Sequence, residues 1–200
     1  MNAFFSQIIN VSTGYLNTVA DTVAGGVTSG MAGATTGKFQ GQLGKMAAVS
    51  QDQIAALFDP SVGTLYGGVY QYVKFSDDLG TPAPEIGQAL FWDPTADAAD
   101  FVVLDDDGLT GVPQPAGVYI GGAGAGDYGF IQIAGLCEVL TAHSLAIAPT
   151  TGQGLVVAAT GLFNNASSVT NPNYAAYAIE IPVNFTLIKA QLTGFGAFRG

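Results

Sequence analysis

Four segments decide the fold: GGVYQYVKFSDDLG (67–80), IGQALFWDP (86–94), FVVLDDDG (101–108) and AGVYIGGAGAGDYGFIQIAG (116–135). Each is a short apolar run ended by turn residues. Val69, Tyr70, Tyr72, Val73 and Phe75 predict a first strand, and Ala89–Trp92 a second that stops at Asp93-Pro94. Phe101–Leu104 predict a third, Val118–Ile120 a fourth and Tyr128–Ile133 a fifth. β-branched and aromatic residues suit a pleated, half-buried surface, and the Gly, Pro and Asp clusters between them are hairpin punctuation. Strands at this spacing predict a mainly β chain, a small barrel or sandwich.

Downstream, Glu138–Ile147, Gly154–Thr160, Tyr174–Ile181 and Phe185–Leu192 continue the pattern. There is also an internal echo. Ala116–Gly135 resembles Ala175–Leu192, and the preceding LFWDP and LVVAAT segments extend the match. Two similar β-units closing on each other would make a barrel without exposed edges. Upstream, SQDQIAALF (50–58) predicts one short helix, with Ser50 as N-cap, Gln53 three residues on and Asp59-Pro60 as the stop.

The first 45 residues have a different composition. Phe4, Phe5, Ile8, Ile9 and Tyr15 are apolar without a clean period, and Ala24–Gly44 is Gly, Ala, Thr and Ser with almost no large side chain. Such a tether cannot bury enough area to offset its ordering entropy alone. Residues 1–45 therefore read as an extended or flexible arm anchored by those apolar residues on another subunit, with 46–200 as the β-barrel-like domain. A solvated tail is the plainer alternative, but it would not need five large apolar side chains.

Composition narrows the function. Of 200 residues, 48% are hydrophobic and 10% charged, and the net charge is −10. Little charged surface suggests burial against partners. Nucleic-acid binding needs clustered Lys and Arg, yet Lys38, Lys45, Lys74, Lys189 and Arg199 are all the basic residues present. No nucleic-acid partner is expected. No membrane span or membrane partner is expected either, since no uninterrupted apolar run reaches about 18 residues. The apolar start lacks a basic region, which argues against a cleaved signal peptide. The single Cys137 excludes an intrachain disulfide framework.

Each chemical candidate has a plainer reading. Gly122-Ala-Gly124-Ala-Gly126 is followed by a strand and carries no Lys, so it reads as a hairpin turn rather than a phosphate loop. Asp105-Asp106-Asp107-Gly108 lacks the alternating ligands and distal Glu of a calcium loop. Asp93, Asp97 and Asp100 read as a solvated loop after Trp92. Cys137 and His143 have no orienting third group in the sequence; the cysteine reads as a small core residue and the histidine as a surface or strand residue. Glu85, Glu138 and Glu180 sit in no recognisable hydrolase context. Trp92 with Tyr70 and Tyr72 could stack on a sugar, although core packing is the commoner role. Asn10, Asn165 and Asn184 open N-x-[ST] triplets, a pattern common by chance. No catalytic residue, cofactor or metal is expected.

The segments YQYVKFSDDLG (70–80), IGQALFWDP, FVVLDDDG, the hairpin 116–135 and the following CEVLTA (137–142) resemble the head decoration, or capsid cement, proteins of tailed bacteriophages and related small virion proteins. A strand ending in Trp-Asp, a double-valine strand and a glycine-rich hairpin follow one another in the same order. The resemblance covers roughly 67–142 and leaves out the first 45 residues. It implies a non-enzymatic β-barrel or β-tulip-like protein on the virion capsid surface. Its partners would be the major capsid protein and copies of itself, as a trimer. On this reading Phe4, Phe5, Ile8, Ile9 and Tyr15 make capsid or subunit contacts. The alternative is a phage fibre or host-recognition module that binds surface glycan at Trp92.

Overall fold

The computed structural model describes residues 44, 46–52, 66–79, 84–96, 101–105, 114–121, 124–143, 145, 150–165 and 174–195. Within them run the strands β1 Met46–Val49, β2 Gly68–Phe75, β3 Ala89–Trp92, β4 Val102–Leu104, β5 Pro115–Tyr119, β6 Tyr128–Leu140, β7 Gly154–Val157, β8 Phe163–Asn165, β9 Ala176–Ala178 and β10 Leu187–Leu192. The fold is mainly β, as the turn-punctuated apolar runs predict. β2 pairs in parallel with β4; β4 pairs with β3, β3 with β5, β5 with β6 and β6 with β2, all antiparallel. These five strands close into a barrel. Irregularities between Val69 and Tyr70 and between Leu90 and Phe91 supply the local bends that closure of so few strands requires.

The second half repeats this path. The end of β6 meets β8 in a parallel bridge, Thr141 opposite Phe163. β8 pairs with β7, β7 with β9, β9 with β10 and β10 with β6, again all antiparallel. The equivalence extends to single bonds. Gly87 N donates to the Tyr119 carbonyl at 2.9 Å, and Gly152 N to the Ala178 carbonyl at 2.7 Å. Gln88 Oε1 accepts from Glu85 N at 2.9 Å, as Gln153 Oε1 does from Thr150 N at 3.1 Å. Phe75 N donates to Asp127 and Thr141 N to Thr186, at 2.8 and 3.1 Å. EIGQAL (85–90) and TTGQGL (150–155) are thus the same turn entering the same strand. The echo seen in sequence is a repeated topology, but the two units do not close on each other. The first closes on itself through its ladders, the second through the single Thr141–Phe163 bridge, and they share β6.

That sharing depends on Gly135. β6 is 13 residues long; its first part belongs to the first ring and its end to the second. At the crossover Gly135 has φ of 100°, and a Cβ there would lie 2.7 Å from Gly68 Cα and 2.8 Å from the Gly67 carbonyl oxygen. Only glycine combines this backbone conformation with so close an approach of another chain segment. Core volume is traded between the units. Phe75 packs edge-on against Tyr119, with ring centroids 5.7 Å apart, in the first. Their equivalents in the second are Thr141 and Ala178, and Phe163 fills the space from the position that Val103 holds in the first. All six are buried, so the density of a native core is reached with large residues on different strands.

Several boundaries depart from the sequence expectation. The fourth strand is Pro115–Tyr119 rather than Val118–Ile120, and the fifth does not stop at Ile133. Glu138–Leu140 is the end of that same strand, because Gly135 lets the chain bend without leaving the ladder. β8, with the sequence FNN, has too little apolar character to be read as a strand. Of the expected helix 50–58, Gln51 and Asp52 are helical and residues 53–58 lie outside the described residues. So do Phe4, Phe5, Ile8, Ile9 and Tyr15.

Candidate functional site

The sugar-stacking platform is not at the surface. Trp92 is 6% exposed and packs edge-on against Phe101 with centroids 6.0 Å apart. Tyr70 and Tyr72 are fully buried; the Tyr70 hydroxyl donates to the Tyr66 carbonyl at 2.6 Å, and Tyr72 packs on Phe130 at 5.0 Å. All three rings are core residues, because strands with both faces covered hide every side chain.

The acidic candidates also serve the fold. Asp93 is buried rather than solvated. Its Oδ1 accepts from Thr95 N at 2.8 Å and from Thr95 Oγ1 at 2.7 Å, so it caps the turn after β3. Asp105 is buried too, while Asp97, Asp100, Asp106 and Asp107 lie outside the described residues. In the glycine-rich hairpin, Asp127 Oδ2 accepts from Gly124 N at 2.8 Å, which is turn chemistry. Among the described residues no three His, Cys, Asp or Glu side chains gather in a way that could hold a metal ion. Of the glycosylation triplets, Asn165 is buried and Asn184 exposed.

Cys137 is buried, and burial pushes its thiol far above the ordinary range, with Glu138 adding to the effect. A thiol so held is a poor nucleophile. The exposed His143 stacks on Phe185, with ring centroids 3.8 Å apart and planes 14° from parallel. Cys137 and His143 are therefore engaged separately. Glu180 takes a hydrogen bond from Lys189 N at 3.0 Å and a salt bridge from its Nζ at 3.3 Å. The backbone bond first, then the side-chain bond, hold its carboxyl below the usual range.

What the sequence did not reveal is an exposed apolar loop between β9 and β10. Ile179, Ile181, Val183 and Phe185 are 46, 57, 56 and 40% exposed, and Tyr177 and Leu187 flank them at the surface. Single exposed apolar side chains are ordinary; six within one short segment form a patch. The repeat provides an internal control. IEIPVNFT (179–186) occupies the place of IGGAGAGD (120–127), a connection of the same length. Gly126 N donates to the Ser76 carbonyl at 3.2 Å, and Phe185 N to the Ala142 carbonyl at 3.0 Å, so Phe185 stands where the first unit has Gly126. Both backbones are left-handed, with φ of 76° at Gly126 and 46° at Phe185. A bulky residue there costs on the order of 1 kcal/mol or more. The fold needs no apolar side chain at 181, 183 and 185, where the twin has Gly122, Gly124 and Gly126; only Ile179 has an apolar twin, the buried Ile120.

The loop is held rigidly. The fully buried Thr141 accepts from Thr186 N at 3.0 Å and donates from its Oγ1 to the Val183 carbonyl; the Thr186 carbonyl is also 3.0 Å away. Asn184 Oδ1 accepts from Leu145 N at 3.2 Å. Such a surface is pre-organised for contact. The sequence signal was the alternation of apolar residues through YAIEIPVNFTL (177–187), which reads as two strands until Pro182 in its middle is weighed.

No protein-family model and no curated protein matches the chain. Among solved structures, the N base of the head fiber gp8.5 of bacteriophage phi29 is similar over 65% of this chain and 98% of its own length, at 10% identity and a TM-score of 0.42. That likeness is too remote to fix either fold or role. Among the described residues no helix is long and apolar enough to cross a membrane.

Proposed function

We propose that the chain is a structural protein of a tailed-bacteriophage virion that sits on the capsid surface at capsomer junctions and stabilises the shell without catalysing a reaction. Its partners are the major capsid protein and further copies of itself, with a trimer as the expected assembly. One observation carries the reading. The segments that resemble head decoration proteins are β2, β3, β4, β5 and the first part of β6, so the resemblance spans a complete closed barrel rather than scattered strands. The exposed apolar loop on the second unit supports it, because a protein that works by contact needs such a surface. The chemical candidates support it too: Asp93, Trp92 and Cys137 are each engaged in holding the fold. The glycan-binding alternative has lost the exposed Trp92 it relied on.

Antibody raised against the purified chain, used for immunogold labelling of negatively stained virions, tests the reading. Gold distributed over the heads is the expected result. Gold confined to fibres or tail, or none on particles, overturns it.

A further inference from the structure

We propose that the segment Tyr177–Leu187 is the surface through which copies of this chain bind one another, with Ile179, Ile181, Val183 and Phe185 converging on the symmetry axis. This deepens the oligomer part of the function proposed above and does not depend on the capsid part.

Three observations lead to it. First, the repeat isolates most of the patch from folding: where the second unit has Ile181, Val183 and Phe185, the first has Gly122, Gly124 and Gly126, at the same length. The apolar side chains therefore answer to something outside the barrel. Second, Phe185 keeps a left-handed φ of 46° where glycine would fit, and its ring, stacked on His143, is still 40% exposed. Strain held in an exposed side chain marks a position retained for contact.

Third, charge and area select a second copy as the occupant. The molecule carries a net charge of −10, so copies repel over most of their surface. Between Tyr177 and Leu187 the one charged residue is Glu180, and Lys189 neutralises it at 3.3 Å. The segment itself thus carries little charge on an acidic body, although Glu138 lies opposite Lys189 on β6 and Glu85 adjoins Ile86 at its rim, and it is the place where two like-charged molecules can meet most easily. Ile86 borders the segment, since Gly87 touches Leu187 and Ile86 is itself exposed. The exposed apolar side chains come to on the order of 500 Å², and with their polar rim this approaches the roughly 800 Å² per partner of a specific interface. The Thr141 bonds fix the loop beforehand, so docking orders little.

The test is sedimentation equilibrium of the full chain at about 50 µM, at low and high salt, with circular dichroism and a thermal melt alongside. Association of the unmodified chain is expected, undiminished by salt, because screening reduces repulsion between acidic copies. The double variant I181D/V183D places like charges at the axis and is expected to weaken association by at least about 100-fold while staying folded. Met46→Asp, at an exposed position of β1, is the control and should associate normally. Should the double variant not fold, Phe185→Gly replaces it: it removes the ring, permits the backbone conformation, and should weaken association by about tenfold with an unchanged spectrum. A monomeric unmodified chain overturns the proposal, and so does association insensitive to both variants. If association survives the loop variants but is lost on removing residues 1–43, the arm is the contact instead. If the chain is a monomer yet gold still labels heads, this interface fails while the virion role stands.

Discussion

The two units trace the same path through five strands, yet they differ at the loop before their last strand. The first turns with Gly and Asp; the second turns with Ile, Val and Phe and leaves them in water. Because the backbone bonds are equivalent, the difference is not about forming the turn. It separates what the fold requires, which both units share, from what only one of them presents outward. The same logic applies at Phe101. This residue has φ of 46° where the second unit has Gly161 with 73°. Gly161 cannot carry a side chain, because its carbonyl accepts from Ala89 N at 2.8 Å and a Cβ would run into the Ala89 carbonyl. The Phe101 carbonyl likewise accepts, from Lys74 N at 3.1 Å, but there the ring finds room against Trp92 and beside Gly44.

The comparison can be tested most severely at the two glycines that follow β6's first part and β10. Gly135→Ala should abolish the cooperative melt, a loss above about 4 kcal/mol, because both obstructing atoms are backbone. Gly194→Ala, at φ of 117° with nothing within 4 Å, should cost about 1–2 kcal/mol. Equal losses in urea titrations would show that strain alone, not the shared strand, sets the requirement.

Next in size is the core. Trp92→Ala should cost about 3–5 kcal/mol, and Val157→Ala, its equivalent, about 1 kcal/mol. Comparable midpoint shifts would mean that the two interiors are filled more evenly than the packing indicates.

Thr141→Val removes the hydroxyl that pins the exposed loop through Val183 and Thr186, and should cost about 0.5–1.5 kcal/mol. Increased amide exchange at Thr186, with no change in the hairpin around Asp127, is the accompanying sign. Uniform exchange in both hairpins would contradict the assignment of Thr141 as the anchor.

The smallest effect concerns the Glu180–Lys189 pair, which has no charged counterpart at Gly121 and Phe130. The Lys189 backbone bond first, then its side-chain bond, hold the folded-state pKa of Glu180 below the ordinary carboxylate value. Its contribution is therefore present above the ordinary carboxylate value and lost as pH falls through the folded one. Lys189→Met should lower the melting temperature slightly at neutral pH and not at all in strong acid. The pair is solvent-exposed, so salt should shrink the difference as well. A difference that grows on acidification would reverse the sign and reject this account.

Much of the fold was legible residue by residue. Ala89–Trp92 appears in the sequence with the strand's own limits, since Gly87-Gln88 and Asp93-Pro94 punctuate it on both sides. The echo between 116–135 and 175–192 was visible because each pairs a small-residue strand with a second of alternating apolar residues, preceded by LFWDP or LVVAAT; that EIGQ and TTGQ make one turn was visible only in the hydrogen bonds. β8 was hidden, as Asn164 and Asn165 join a ladder only because Leu155 and Val156 lie opposite them. Tertiary pairing there overrides propensity. The exposed loop was hidden for the opposite reason: apolar alternation implies burial, and only the path of β9 and β10 turns Ile181 and Val183 outward.

The sequence by itself determined a β protein with turns at stated places, a doubled pattern, an acidic surface poor in cations and no disulfide. These are local or additive properties, carried by short-range sterics and by counting charges. The tertiary structure alone decided that the doubled pattern makes two rings with a common strand, that Trp92 faces inward and that Phe185 faces out. Those depend on which strands meet. A strand's partner, unlike its pleat, is chosen by residues far away in the chain, as Gly135 shows by its contact with Gly67 and Gly68.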